Sequence, residues 1–218
     1  MSKYKLIVFD LDGTLLDTSE GILKSVKETL FHFNLGEIND NMIQRFIGPP
    51  IQNSLEEVYG LTGITLQKAT DYFRTIYSGE NLLHARVYDG IYDLFEYLKN
   101  NSYLISVATY KREDYAINLL KAFHFDLYSD ILFGADNYNK LKKNDIILKC
   151  IKKSKIKDYS QVLMIGDTLH DYTGSKLIGI DFMAVTYGFG FKSKPDYEKL
   201  DCIAVVDTPL EIIKALND

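Results

Sequence analysis

The chain carries no surplus of positive charge: 25 Lys and Arg stand against 30 Asp and Glu, for a net charge of −5. Nucleic-acid and anionic-membrane proteins present a basic footprint, so neither partner is expected, although a local basic pocket for a phosphate fits that balance. Cysteine is scarce. Cys150 and Cys202 lie far apart with no CxxC spacing, which argues against a disulfide framework or zinc site and predicts a reduced, cytoplasmic protein. No apolar run reaches membrane-spanning length, and the run that begins at Leu6 is cut at Asp10, so neither a membrane helix nor a signal peptide is expected. The histidines His32, His84, His124 and His170 form no HxxxH or HExxH pair, which removes the common histidine metal signatures. Only His170 stands out, because it lies inside an acidic motif. Internal repeats and low-complexity linkers are absent as well.

What is present is ordinary globular material. With 46% hydrophobic and 25% charged residues, the chain can bury a core and is not a disordered one. Leu6 to Phe9 is a short buried strand, after which Asp10 changes the character of the chain to charge, glycine and hydroxyl. Ser19 to Phe33 places Ile22, Val26, Leu30 and Phe33 on one helical face behind a Ser19-Glu20 start signal. Asn41 to Ile47 reads as a short helix stopped by Gly48-Pro49-Pro50, and Ile51 to Tyr59 and Thr65 to Leu82 as two more.

From Val87 the pattern alternates. Expected strands at Tyr103–Ala108, Ile131–Phe133, Gln161–Ile165, Asp181–Val185 and Ile203–Val206 are separated mostly by single helices, among them Arg112–Phe123, Lys143–Ser154 and Thr168–Ile178. Parallel strands need such crossovers, so the fold class is α/β, a Rossmann-like parallel sheet with helices on both faces. The core is expected over residues 1–17 and 86–218, with an inserted all-helical domain over 18–85.

The residues that follow the strands are chemically selected. Asp10 and Asp12 follow the first strand, Thr109 and Lys111 another, Lys140, Lys142 and Lys143 precede a helix, and Gly166-Asp167 with Asp171 follow a third strand. Open α/β sheets gather ligands at the carboxyl ends of their strands, and carboxylates, a hydroxyl and an ammonium gathered there suit a metal and a phosphate. A carboxylate can attack phosphorus to form an aspartyl-phosphate, a hard cation such as Mg²⁺ can bridge the repelling anions, and a second carboxylate can move the proton.

The run Asp10-x-Asp12-Gly13-Thr14, Thr109, a downstream lysine and Gly166-Asp167-x-x-x-Asp171 resembles the four motifs of the haloacid dehalogenase-like (HAD) hydrolases, in the family's order. A helical cap inserted after the first strand resembles one branch of that family, and the tail from Val185-Thr186-Tyr187-Gly188-Phe189-Gly190 to Asp207-Thr208-Pro209 resembles its phosphoglycolate phosphatase group. The resemblance implies a Mg²⁺-dependent phosphoric monoester hydrolase acting on a small phosphorylated metabolite. It implies that Asp10 is the nucleophile and Asp12 the acid/base, with its main-chain carbonyl on the metal beside Asp10 and Asp167. Thr109 would hold phosphoryl oxygens, and Asp171 would act behind them, through water or by orienting the lysine. The family's usual Lys-Pro is missing here. Lys143 is the choice because it begins a helix pattern, with Lys140 and Lys142 left open. In similar phosphatases the cap stretch that here is Arg45 to Pro50 selects the leaving group, so Arg45 is a candidate substrate-binding residue.

The same residues also have plain structural readings. Asp-Gly is a common turn signal, yet two acids directly after a buried strand are costly without a role. Asp167 and Asp171 also fit a helix cap, and a lysine run is ordinarily a solvated face. A β-phosphoglucomutase-like mutase, a pyrophosphatase or a nucleotidase share the same catalytic residues, and a non-catalytic binding protein is the distant alternative. A monomer or a homodimer is compatible with the sequence.

Overall fold

The structure, a computed structural model, describes residues 3–43, 45–137 and 140–217. In chain order its elements are β1 (Leu6–Phe9), β2 (Leu16–Asp17), α1 (Ser19–His32), α2 (Asp40–Ile43), α3 (Ile51–Tyr59), α4 (Gly63–Ser78), β3 (Arg86–Val87), α5 (Ile91–Asn100), β4 (Leu104–Arg112), α6 (Glu113–Ala122), β5 (Leu132–Ala135), α7 (Lys143–Ser154), β6 (Val162–Gly166), α8 (Leu169–Ile178), β7 (Asp181–Val185), α9 (Lys194–Tyr197), β8 (Ala204–Val206) and α10 (Pro209–Asn217). The chain divides into two compact units, one formed by Met1–Leu16 with Val87–Asp218 and the other by Asp17–Arg86.

The first unit is an α/β core. Its sheet runs β5-β4-β1-β6-β7-β8 with every neighbouring pair parallel. The chain builds outward from β1 to β4 and β5, then returns to the other side of β1 for β6, β7 and β8. That reversal beside β1 is the switch point at which open sheets leave a crevice. Alternation along β1 buries both of its faces: Leu6 and Val8 join Ile146, Ile147 and Cys150 of α7, whereas the Phe9 ring meets Phe95 of α5 at 5.3 Å. Each such fully buried side chain contributes about 1.5–3 kcal/mol.

The second unit is helical. Its helix α4 packs on both α1 and α3 through buried Val26, Leu30, Leu55, Ala69 and Phe73. A buried polar pair is satisfied inside it, since Asn81 donates to Ser25 Oγ at 3.0 Å and Ser25 donates to Gly21 O at 2.9 Å. The strands β2 and β3 form a separate two-stranded sheet, in which Asp17 Oδ2 accepts from Arg86 Nε at 3.1 Å.

Three expectations need correction. The helix expected at Asn41–Ile47 ends at Ile43; Arg45 and Phe46 form a turn, and Gln44 lies outside the described residues. The helix expected at Thr65–Leu82 starts at Gly63 and stops at Ser78, because Gly79 takes φ −78°, ψ −136°, and a short 3₁₀ turn follows over Glu80–Leu83. The strand expected to end at Ala108 continues to Arg112, with the register against β5 shifting between Ala108 and Arg112. Lysine and arginine read as a strand end in sequence, but pairing of Arg112 with Ala135 resumes the ladder beyond the irregularity.

Candidate active site

Asp10 stands one residue past β1 and extends its pairing, donating its N–H to Ile165 O at 3.0 Å. The chain then reverses sharply: Leu15 and Leu16 donate to Leu11 O at 2.9 and 3.0 Å, and Gly13 donates to Leu16 O at 2.8 Å. Gly13 has φ +82°, and a Cβ there would sit 2.2 Å from Asp167 Oδ2, so glycine is required on both counts. Asp12, inside this turn, is buried with its carboxylate 3.1 Å from Lys111 Nζ.

Lys143 is the first residue of α7, and its buried ammonium lies 2.6 Å from Asp10 Oδ1 and 2.6 Å from Asp171 Oδ1. Lys140 and Lys142 are exposed, and Lys142 N–H donates to Asp145 Oδ2 at 2.9 Å as part of the helix start. The N–H of Lys143 donates to the Tyr110 hydroxyl at 3.0 Å. These two bonds anchor the start of a helix that has no proline there. Asp171 also caps α8, accepting from the Thr168 hydroxyl at 2.7 Å and its N–H at 3.1 Å. The cap reading and the site reading of Asp171 thus hold together, one oxygen for each. His170 is exposed and sets its ring edge against Tyr110 at 5.3 Å.

Asp167, one residue past β6, accepts from the backbone N–H groups of Phe189 at 2.7 Å and Gly190 at 3.1 Å, and from Thr14 Oγ1 at 3.3 Å. The loop that supplies those N–H groups has to pass very close. A Cβ on Gly188 would lie 2.1 Å from Gly13 O and 2.5 Å from Asp167 Cβ. Gly188→Ala is therefore expected to cost about 1–3 kcal/mol of stability through overpacking and to weaken any ion held by Asp167. Thermal melts with and without added Mg²⁺ read both effects, and an unchanged melt would remove the steric argument.

Thr109 is buried two residues beyond the last β1–β4 pair, Phe9 with Val107, and its Oγ1 accepts from Lys111 N–H at 3.1 Å. Of the other residues singled out from the sequence, Asp10, Asp167 and Lys143 converge with Asp171, and Asp12 pairs with Lys111. Arg45 belongs to the helical unit, where it is exposed and lies 3.3 Å from Glu57. Sequence reasoning missed the Lys111 pairing, the Tyr110 anchor and the Phe189-Gly190 amides. The glycines at 188 and 190 were the available signal.

Electrostatics define what the site lacks. Carboxylate oxygens of Asp10, Asp167 and Asp171 lie within 4.8 Å of one another. Burial, reinforced by the charges of Asp171 and Asp167 and opposed by Lys143, pushes the Asp10 carboxyl up to about 8. Burial and Asp171 push Asp167 up to about 7, against the pull of the two backbone N–H groups. Lys143 moves the other way from a simple buried lysine: burial lowers it, but Asp10 and Asp171 together hold it above the ordinary lysine value. With all four buried carboxylates ionised, as metal ligands must be, they exceed the two ammonium groups of Lys111 and Lys143 by two negative charges. Oxygen donors with that excess fit one hard divalent cation such as Mg²⁺.

A family model for haloacid dehalogenase-like hydrolases matches residues 7–185. The chain belongs to that family. It is 31% identical over 188 residues to a 5'-nucleotidase from Pseudomonas aeruginosa, across 86% of this chain and 85% of the relative. It is 30% identical over 226 aligned positions to a phosphoglycolate phosphatase from Pasteurella multocida, across 97% of this chain and all (100%) of that one. The crystal structure of a predicted phosphatase from Clostridium acetobutylicum matches with a TM-score of 0.89 at 32% identity, over 98% of each chain. The family is one of hydrolases, and these relatives are a nucleotidase and phosphatases by name. Among the described residues, no helix is long and apolar enough to cross a membrane.

Proposed function

We propose that the protein is a Mg²⁺-dependent phosphatase of a small phosphorylated metabolite, phosphoglycolate-like, working through an aspartyl-phosphate. The observation that carries this reading is the convergence of Asp10, Asp167, Asp171 and Lys143 at the switch point of the sheet. Asp10, Asp167 and the main-chain carbonyl of Asp12 would hold Mg²⁺, which when bound neutralises anionic oxygens of the phosphoryl group. An oxygen of Asp10 attacks phosphorus while the bond to the leaving oxygen breaks, and Asp12 gives that oxygen its proton. Asp12 then takes a proton from water, which attacks phosphorus of the acyl phosphate and frees Asp10. Thr109 and the ammonium of Lys143 hold the transferring oxygens, and Asp171 keeps Lys143 in place.

The test is phosphate release from a panel of phosphorylated metabolites by the purified protein. Turnover of phosphoglycolate above the rest of the panel supports the reading, and preference for nucleoside monophosphates would favour the nucleotidase reading that the Pseudomonas aeruginosa relative motivates. A phosphosugar isomerised without phosphate release would instead make the protein a mutase. Arg45 is the proposed anchor for a substrate carboxylate, since a guanidinium pairs with one bidentately. Arg45→Ala should raise KM for phosphoglycolate about tenfold, the worth of one charged hydrogen bond, and leave p-nitrophenyl phosphate hydrolysis unchanged. Equal losses on both substrates would argue against that role. The free thiols Cys150, buried, and Cys202, partly buried, suit a reducing cytoplasm.

A further inference from the structure

Asp12 has a cation of its own. Lys111 Nζ lies 3.1 Å from Asp12 Oδ1, and the two side chains are only 6% and 7% exposed. Lysine is rarely buried to this degree, and a buried ion pair gives back little net stability once both charges have lost their water. Stability is therefore a poor reason for the pair to exist. The backbone delivers Lys111 to it. The register slip in β4 falls between Ala108 and Arg112, and the N–H of Lys111 is tied to Thr109 Oγ1 at 3.1 Å, so the lysine is fixed relative to Thr109. The second buried ammonium of the site, Lys143, lies against Asp10 and Asp171 instead.

We infer that Lys111 is a positioning residue for phosphoryl transfer: its ammonium holds the Asp12 carboxyl group where the protonated acid gives its proton to the leaving oxygen and the carboxylate left behind later takes one from water. The inference rests on the phosphatase reading with Asp12 as acid/base. Lys111 itself neither gains nor loses a proton in either step. Orientation is where the effect comes from, since a misplacement of about 1 Å in a reacting group costs about 10²-fold in rate. The rival role for a buried ammonium beside Thr109 is to bind an anionic part of the substrate, and kinetics separate the two.

Lys111→Met, Lys111→Arg, Asp12→Asn and the double variant are compared with the wild type in Mg²⁺, on p-nitrophenyl phosphate and on an alkyl phosphate. Nitrophenolate departs without needing a proton, whereas an alkoxide does not. Lys111→Met should therefore keep a rapid burst of nitrophenolate, lose about 10²-fold in steady-state kcat on both substrates, and keep its KM. Lys111→Arg should recover most of the loss. Adding Lys111→Met to Asp12→Asn should change kcat by no more than about twofold, because the partner it positions is already gone. The inference is overturned by losses that multiply in the double variant, by a loss expressed wholly in KM, or by Lys111→Met turnover within about twofold of wild type. If Lys111→Met does not fold, the double variant, which removes both charges together, and Lys111→Arg decide the same question. A wild type with no turnover would remove the phosphatase reading as well. An active wild type with an inactive Asp10→Asn and an unaffected Lys111→Met removes this inference alone.

Discussion

Asp10→Asn is expected to abolish phosphate release, by about 10⁴-fold or more, while leaving the protein folded. Asparagine keeps the shape of the side chain and removes its nucleophilic charge, so no acyl phosphate can form. Its effect on stability is expected to be small and of a particular sign. In the native protein Asp10 is a carboxyl pushed up to about 8, which means that burial and the neighbouring acids disfavour its charged form. A neutral amide removes that repulsion at the cost of one of the two carboxylates beside Lys143, so at pH 8 without metal the variant should melt no lower than the wild type. Wild-type protein quenched during turnover should carry a phosphoryl group on the peptide containing Asp10, and the variant should not. Full activity of Asp10→Asn would exclude the covalent route.

Removing Mg²⁺ has the second large effect, and it depends on pH in a direction that the site dictates. Asp10 and Asp167 have ordinary carboxyl values of 3.8 and are raised in the folded protein to about 8 and about 7. The folded state therefore holds more protons than the unfolded one between these limits. The stability they confer is fully present below about 4 and is lost as pH rises through about 7–8, so in a chelator the protein should melt lower at pH 8.5 than at pH 6. Metal ligands must be ionised, so Mg²⁺ binds better as these protons leave and opposes the same loss. At a concentration about 100 times its dissociation constant, Mg²⁺ should add about 2.7 kcal/mol, or about 5–10 °C in melting temperature for a chain of this size. That rise should be smaller at pH 6. Turnover should vanish in the chelator and return with Mg²⁺. A melting temperature indifferent to Mg²⁺ at every pH would take the metal out of the mechanism.

Much of this arrangement is legible in the sequence. The apolar run Leu6–Phe9 ending at Asp10, the acids after Ile165 and the alternation of strand and helix beyond Val87 are local signals. Each depends on neighbours a few positions away, where periodicity and turn chemistry act. Boundaries failed where a long-range contact overrode the local one. Lys111 and Arg112 look like the end of a strand, yet β4 runs through them because β5 supplies partners. The three lysines at 140, 142 and 143 could not be ranked by composition. Their separation came from the turn of α7, which buries Lys143 and leaves the other two in solvent.

The sequence by itself determined the family, the α/β class and the set of chemical groups, because motif order follows strand order and a parallel sheet brings successive strand ends to one edge. Only the tertiary structure decided which charges meet. Lys143 finds Asp10 across 133 positions of chain, Asp167 is held by two amides of a loop that only glycine lets approach, and Asp12 is claimed by Lys111. Those pairings rest on distances of about 3 Å, and Coulomb and hydrogen-bond energies fall away within a few ångströms, so nothing in the linear order of residues can rank them.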